Sequence, residues 1–246
     1  MVSRYIREVC IDWQCLDRRS YVLGIPSLRN LTQLVFDRDI TFFVGENGTG
    51  KSTLLEAIAV AYGMNPEGGS KNFDFSTKET HSGLHEGLRV VKGYRKPKDT
   101  YFLRAESFYN VATRLDEYEE ELPPGARYQS YGGKSLHEQS HGESFLSLMQ
   151  ERFSKDSIYF LDEPEASLSP QKQLTILIKI NELVKQGTQF IIASHSPILL
   201  GIPNAKILSF DSEGLEEITY EETSAYQVTE MFINNRKYLL DRLLSE

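Results

Sequence analysis

The chain has 246 residues, a mass of 28.1 kDa and a formal net charge of −8. Charged residues at 25 % and hydrophobic residues at 40 % are ordinary for a folded α/β domain, and the acidic balance excludes a wholly basic nucleic-acid binder while allowing a local basic patch. Cys10 and Cys15 make neither a Cys-x-x-Cys pair nor a disulfide framework, and no apolar run nears the roughly 20 residues that cross a bilayer. With no signal-peptide core in Met1-Val-Ser-Arg4, the expectation is a single cytoplasmic domain over 1–246.

Ser3–Leu23 alternates loosely between apolar and polar residues and predicts one or two strands, and Leu31–Phe36 and Ile40–Val44 complete an N-terminal β region. Gly63–Thr80 reads as a surface loop. Leu88–Tyr94 and Thr100–Ala105 predict a hairpin around Lys96-Pro97-Lys98-Asp99. Glu106–Glu121 has helical spacing and stops at Pro123-Pro124-Gly125; Leu122–Gln139 reads as a loop and Ser144–Phe153 as another helix. These form a small helical lobe over 106–153. Ser157–Leu161 and Gln189–Ala193 predict buried strands on either side of a helix, Pro170–Gln186. Lys206–Phe210 and Leu215–Tyr220 predict a terminal hairpin, and a C-terminal helix from Ser224 to about Leu244 fills the 222–246 tail. Strands alternating with helices imply a largely parallel sheet covered on both faces.

Between the Ile40–Val44 strand and a helix from Thr53 to Val60 lies Gly45-Glu46-Asn47-Gly48-Thr49-Gly50-Lys51-Ser52, the Gly-x-x-x-x-Gly-Lys-Ser phosphate loop. Its glycines let backbone N–H groups turn inward around phosphate oxygens at a helix N-terminus. Lys51 reaches the β- and γ-phosphates in this reading, and Ser52 ligates Mg²⁺. The loop needs a second metal ligand, and the apolar Ser157–Leu161 strand ends in Asp162-Glu163. Asp162 is the candidate ligand, and Glu163 the group that orients or deprotonates water. His195 closes the Gln189–Ala193 strand and is placed to donate a hydrogen bond to transferring oxygens.

Gln139-Ser140-His141-Gly142-Glu143-Ser144-Phe145, just before a helix, resembles the signature motif of the ABC-type ATPases in its place in the order. Ser140 matches the signature serine, Gly142 its second glycine, and Glu143 the glutamate of SMC-type and double-strand-break-repair ATPases. Leu161–Pro170 resembles that superfamily's Walker B and D-loop, and His195 its switch histidine. More narrowly, Gly-Glu-Asn-Gly-Thr-Gly-Lys-Ser with Ser-His-Gly-Glu-Ser-Phe looks like a group of small stand-alone bacterial ATPases. The chain departs from the pattern at His141, at Ser169 in place of the D-loop Asp, and in having no glutamine between Lys51 and Tyr128; Glu106 is the nearest substitute for the Q-loop residue.

The resemblance implies a P-loop NTPase fold of ABC type, Mg²⁺-dependent ATP hydrolysis, and an ATP-dependent head-to-tail homodimer. In it Ser140, Gly142 and Glu143 of one subunit cap the nucleotide held by Gly45–Thr53 of the other. Tyr21, Arg29 and Asn30 precede the first core strand, where the superfamily often contacts the base. A non-transport role in DNA metabolism or phage defence with a separate effector is the favoured output. The alternatives are a transporter's nucleotide-binding subunit and a nucleotide-gated module with little turnover. Two features stay outside this frame. Leu88–Arg104 is basic and aromatic (Arg89, Lys92, Arg95, Lys96, Lys98 and Arg104 with Tyr94 and Tyr101), which suits a nucleic-acid backbone or a solvated face. His81/His85 and His137/His141 have the i,i+4 spacing of metal ligands on a helix, without a convincing helix to carry them.

Overall fold

A computed structural model describes residues 4–70, 82–104 and 141–245. Among the described residues the central sheet has seven strands, and three antiparallel strands form a second sheet beside it. In chain order the strands are β1 (Ile6–Ile11), β2 (Gln33–Val35), β3 (Ile40–Val44), β4 (Gly69–Ser70), β5 (Leu88–Lys92), β6 (Thr100–Arg104), β7 (Ile158–Asp162), β8 (Gln189–Ala193), β9 (Lys206–Ser212) and β10 (Gly214–Ile218). The helices are α1 (Lys51–Tyr62), α2 (His141–Ser147), which runs on into a π turn over Leu148–Arg152, α3 (Pro170–Lys185), α4 (Pro197–Leu200) and α5 (Ser224–Leu243). The large sheet has the order β10-β9-β3-β8-β7-β6-β4. Its strands from β9 through β6 run parallel, and β10 and β4 close the edges antiparallel.

Full burial of β3, β7 and β8 on both faces explains their nearly continuous apolar sequences. Successive side chains alternate faces, so Phe43, Phe160 and Ile191 enter one core with α1 and the antiparallel sheet. Phe42, Tyr159, Leu161 and Ile192 enter the other, beneath α2, α3 and α4. Each fully buried phenylalanine is worth about 3–5 kcal/mol against alanine. α1 is buried on most sides, including the carboxylate-bearing Glu56, which pairs with Arg104 at 2.6 Å and accepts the Ser82 N–H at 3.1 Å. α3 shows the opposite pattern: Ile176, Ile180 and Leu183 are buried while Leu174 and Ile178 face solvent. Pro170 opens α3 and the Ser169 hydroxyl caps it by accepting the Lys172 N–H.

A buried side chain ties the two sheets together. Gln189 accepts from the Tyr5 and Ile6 N–H groups through Oε1 and donates through Nε2 to the Ile6 carbonyl, each at 2.9 Å.

The expected hairpin of Leu88–Tyr94 with Thr100–Ala105 does not form. β5 pairs with β1 in the small sheet, whereas β6 pairs with β7 and β4 in the large one. The reason is burial: Thr100, Tyr101, Phe102 and Leu103 are all buried, which requires cover on both faces, whereas β5 is buried only at Leu88. The Lys-Pro-Lys-Asp segment therefore crosses between sheets. The Ser3–Leu23 region yields one strand, β1, followed by 3₁₀ turns at Trp13–Cys15 and Tyr21–Gly24. The terminal hairpin is present as β9–β10. Of the expected lobe over 106–153, residues 106–140, with Glu106, lie outside the described residues.

Candidate nucleotide site

Gly45–Ser52 leaves the C-terminal end of β3 and enters α1. Gly45, Gly48 and Gly50 have left-handed φ values of 140°, 82° and 99°. Gly50 is constrained twice, because a Cβ there would also lie 2.8 Å from Ile25 Cγ2. The loop is braced from outside: Ser27 Oγ donates to the Thr49 carbonyl at 2.5 Å, and Asp211 Oδ1 accepts the Glu46 N–H at 2.8 Å. Lys51 is 4 % exposed, and its Nζ donates to the Gly45 and Glu46 carbonyls, both at 2.7 Å. Burial lowers its pKa, opposed by the charges of Glu163, Asp211, Asp162 and Glu165.

Ser52 Oγ donates to Asp162 Oδ1 at 2.8 Å, joining the start of α1 to the end of β7. Two hard oxygen ligands, one anionic, thus meet at the mouth of the phosphate loop, a donor set that fits Mg²⁺. Register brings the other two chemical groups together. Asp162 pairs with Ala193 across the parallel β7–β8 ladder, and the Glu163 N–H donates to the Ala193 carbonyl at 2.9 Å. Glu163 holds a φ of 50°, an uncommon conformation for a residue with a Cβ. His195 Nε2 then lies 3.8 Å from Glu163 Oε1, too far for a hydrogen bond, and both side chains are partly open at 40 % and 42 %. Burial and then the Lys51 charge hold the His195 pKa below its usual value, so the ring is neutral at pH 7.

A cavity of about 500 Å³ lies over the loop, lined by Asn47, Gly48, Gly50–Thr53, Glu163, Tyr21 and Ile25. Tyr21 stands at this rim; Arg29 and Asn30 do not line it. Ser140 lies outside the described residues. Gly142 and Glu143 begin α2, away from this cavity's lining. Instead Gly142 backs onto the segment after β7, where a Cβ would come 2.4 Å from the Ser167 carbonyl oxygen. His81 and His137 also lie outside the described residues. Among those described, no group of three or more His, Cys, Asp or Glu is placed to hold a metal ion.

Three positioning groups escaped the sequence reading. Glu165 accepts the His195 N–H at 2.5 Å, and burial raises its carboxyl pKa. Gln173 Oε1 accepts from Ser196 Oγ at 2.6 Å, fixing the residue that caps α4 next to His195. Asp211 braces the loop from β9. Only Asp211 carries a usable signal, a carboxylate past the apolar run of a strand adjoining β3.

A family profile described as an AAA domain, AAA_23, matches residues 19–193. The ribose import ATP-binding protein RbsA of Bacillus cereus is 24 % identical over 225 residues, covering 85 % of this chain and 45 % of that protein. The galactose/methyl galactoside import ATP-binding protein MglA of Clostridium perfringens is 25 % identical over 193 residues, covering 70 % and 36 %. This chain therefore spans less than half the length of the curated relatives it matches. Among solved structures, the SMC head domain from Thermotoga maritima superposes with a TM-score of 0.42 at 15 % identity, covering 87 % of this chain and 98 % of that one. Among the described residues no helix is long and apolar enough to cross a membrane. With a phosphate loop between β3 and α1 of a mainly parallel sheet, the chain belongs to the AAA_23 family and has the fold of an ABC-type P-loop ATPase.

Proposed function

We propose that this protein binds ATP at Gly45–Thr53 and hydrolyses it to ADP and phosphate. The observation that carries this reading is that Lys51, Ser52 and Glu163 line one cavity, with Ser52 bonded to Asp162 at 2.8 Å and Glu163 3.8 Å from His195. The loop N–H groups and the Lys51 ammonium bind the phosphate oxygens, which requires Lys51 to turn from the Gly45 and Glu46 carbonyls. Ser52 and Asp162 would hold Mg²⁺, which when bound neutralises charge on the β- and γ-phosphate oxygens. Glu163 takes the proton of the attacking water as the bond between the γ-phosphorus and the bridging oxygen breaks. Neutral His195 donates a hydrogen bond to the γ-phosphoryl oxygens, oriented by Glu165 at its backbone. Tyr21 contacts the base.

The protein acts as a head-to-tail homodimer closed by ATP, with Ser140, Gly142 and Glu143 of one copy completing the site of the other. What supports this reading is the match of Ser140, Gly142 and Glu143 to a signature motif in its place in the chain order; Gly142 and Glu143 do not line this chain's own cavity. The output is a non-transport process in the cytoplasm, in DNA metabolism or phage defence, coupled to a separate effector. The names of the import ATP-binding relatives favour a second reading, a transporter's nucleotide-binding subunit; co-purification with a membrane protein would select it.

Glu163→Gln tests the mechanism. It should bind Mg-ATP with near wild-type affinity, lose turnover by about 10²–10⁴-fold and accumulate as a dimer in light scattering. Turnover unchanged removes Glu163 from the reaction, and a variant that stays monomeric in saturating Mg-ATP refutes the sandwich.

A further inference from the structure

The crossing segment between β5 and β6, Gly93–Asp99, forms an open cavity of about 560 Å³ with Tyr62, Lys92 and Arg152. It lies at the N-terminal end of β6, whereas the phosphate loop leaves the C-terminal end of β3, and all intervening strands are parallel. A five-residue strand spans about 16 Å, so the two cavities occupy opposite ends of the sheet.

The frame of this cavity is fixed by ion pairs. Arg95 and Lys98 both hold Asp156, at 3.2 and 2.9 Å, and Arg152 holds Asp99 at 3.1 Å. The Lys98 N–H donates to the Asp156 carbonyl at 2.8 Å, pinning the segment to the turn before β7. Lys92 Nζ sits 4.5 Å from the centre of the Tyr62 ring. Among the described residues, Arg95, Lys96, Lys98 and Arg152 stand against Asp99 and Asp156, so a positive excess of two collects here on a chain whose net charge is −8. Lys96 and Tyr94 have no partner among the described residues, and the Tyr94 ring is 86 % exposed.

An aromatic ring held in water beside exposed cations, of which Lys96 has no partner among the described residues, contributes nothing to the core. It is the combination that binds unstacked bases and their phosphates, since stacking tolerates any base and the cations follow the backbone. We propose that this cavity binds single-stranded nucleic acid, with Tyr94 stacked on a base and Arg95, Lys96 and Lys98 on neighbouring phosphates. The site stands apart from the ATPase reading, because its residues and its test involve no nucleoside triphosphate.

Fluorescence anisotropy of a labelled 20-nucleotide thymidine oligomer with the full chain, without ATP, measures the affinity directly. A Kd in the micromolar range is expected at low salt. Tyr94→Ala should weaken binding about fivefold or more, and Lys96→Glu should flatten the slope of log K against log salt by about 0.7. A duplex of equal length should bind about tenfold more weakly, since its bases are not free to stack. Both side chains are exposed and unpartnered, so unchanged melting temperatures should accompany these losses. Absence of saturable binding, duplex binding as tight as single-strand binding, or unchanged binding in both variants would each overturn the proposal.

Discussion

The two ends of the central sheet are built from the same parallel strands yet arranged for anions in opposite ways. At the C-terminal ends the side chains are mainly acidic (Asp162, Glu163, Glu165 and Asp211), and in the proposed function phosphate binding falls to backbone N–H groups, the α1 N-terminus and one buried lysine. At the N-terminal end of β6 the backbone offers no such cradle, and the charge comes from long exposed side chains. The first arrangement is rigid and selective for one geometry, because its donors are held by left-handed glycines and flanking braces. The second is salt-sensitive, because its lysine and arginine charges sit at the surface, partly in ion pairs that salt screens. The comparison teaches that net charge is a poor guide to anion binding in this molecule: the acidic end holds the phosphate loop.

The sharpest way to break that contrast is Lys51→Ala. It removes the one buried cation among four carboxylates and should lower ATP affinity by about 100-fold or more in calorimetry, equivalent to about 3 kcal/mol or more. Affinity near wild type would show that the backbone cradle alone suffices. Gln189→Leu probes what holds the basic end in place. It leaves the Tyr5 and Ile6 N–H groups unpaired and should cost about 2–4 kcal/mol in denaturant unfolding. Gly142→Ala probes the acidic end, since its Cβ must displace the Ser167 carbonyl. A loss of about 1–3 kcal/mol, read as a drop in melting temperature, is expected, with turnover reduced further if α2 and the Ser167 segment move together.

The smallest effect is one of pH. The His195 pKa is depressed, so the ring stays neutral until the pH falls below the usual histidine value of about 6.5. Any stability that depends on the neutral ring is therefore present above about 6.5 and lost as pH falls through the lower, folded-state value. The acid limb of kcat/KM, which reports the nucleotide-free enzyme, should likewise lie below about 6.5. A midpoint at or above that value would contradict the neutral donor assigned to His195.

Local chemistry by itself determined much of this protein. β3 and β8 are legible because burial on both faces demands unbroken apolar runs, and α1 and α3 because glycine, proline and serine mark their ends. The phosphate loop is legible because left-handed backbone at fixed intervals demands glycine. Pairing partners were decided only by the tertiary structure. Leu88–Lys92 and Thr100–Arg104 look like a hairpin through their turn residues, but strand propensity does not say which sheet a strand joins, and that choice rested on which side chains had to be covered. Glu165 and Gln173 were invisible, and Asp211 only faintly marked by its place past an apolar run, for a related reason. Each acts on a backbone or side-chain group far along the chain, and a carboxylate or amide does not show in sequence which distant N–H or hydroxyl it will accept.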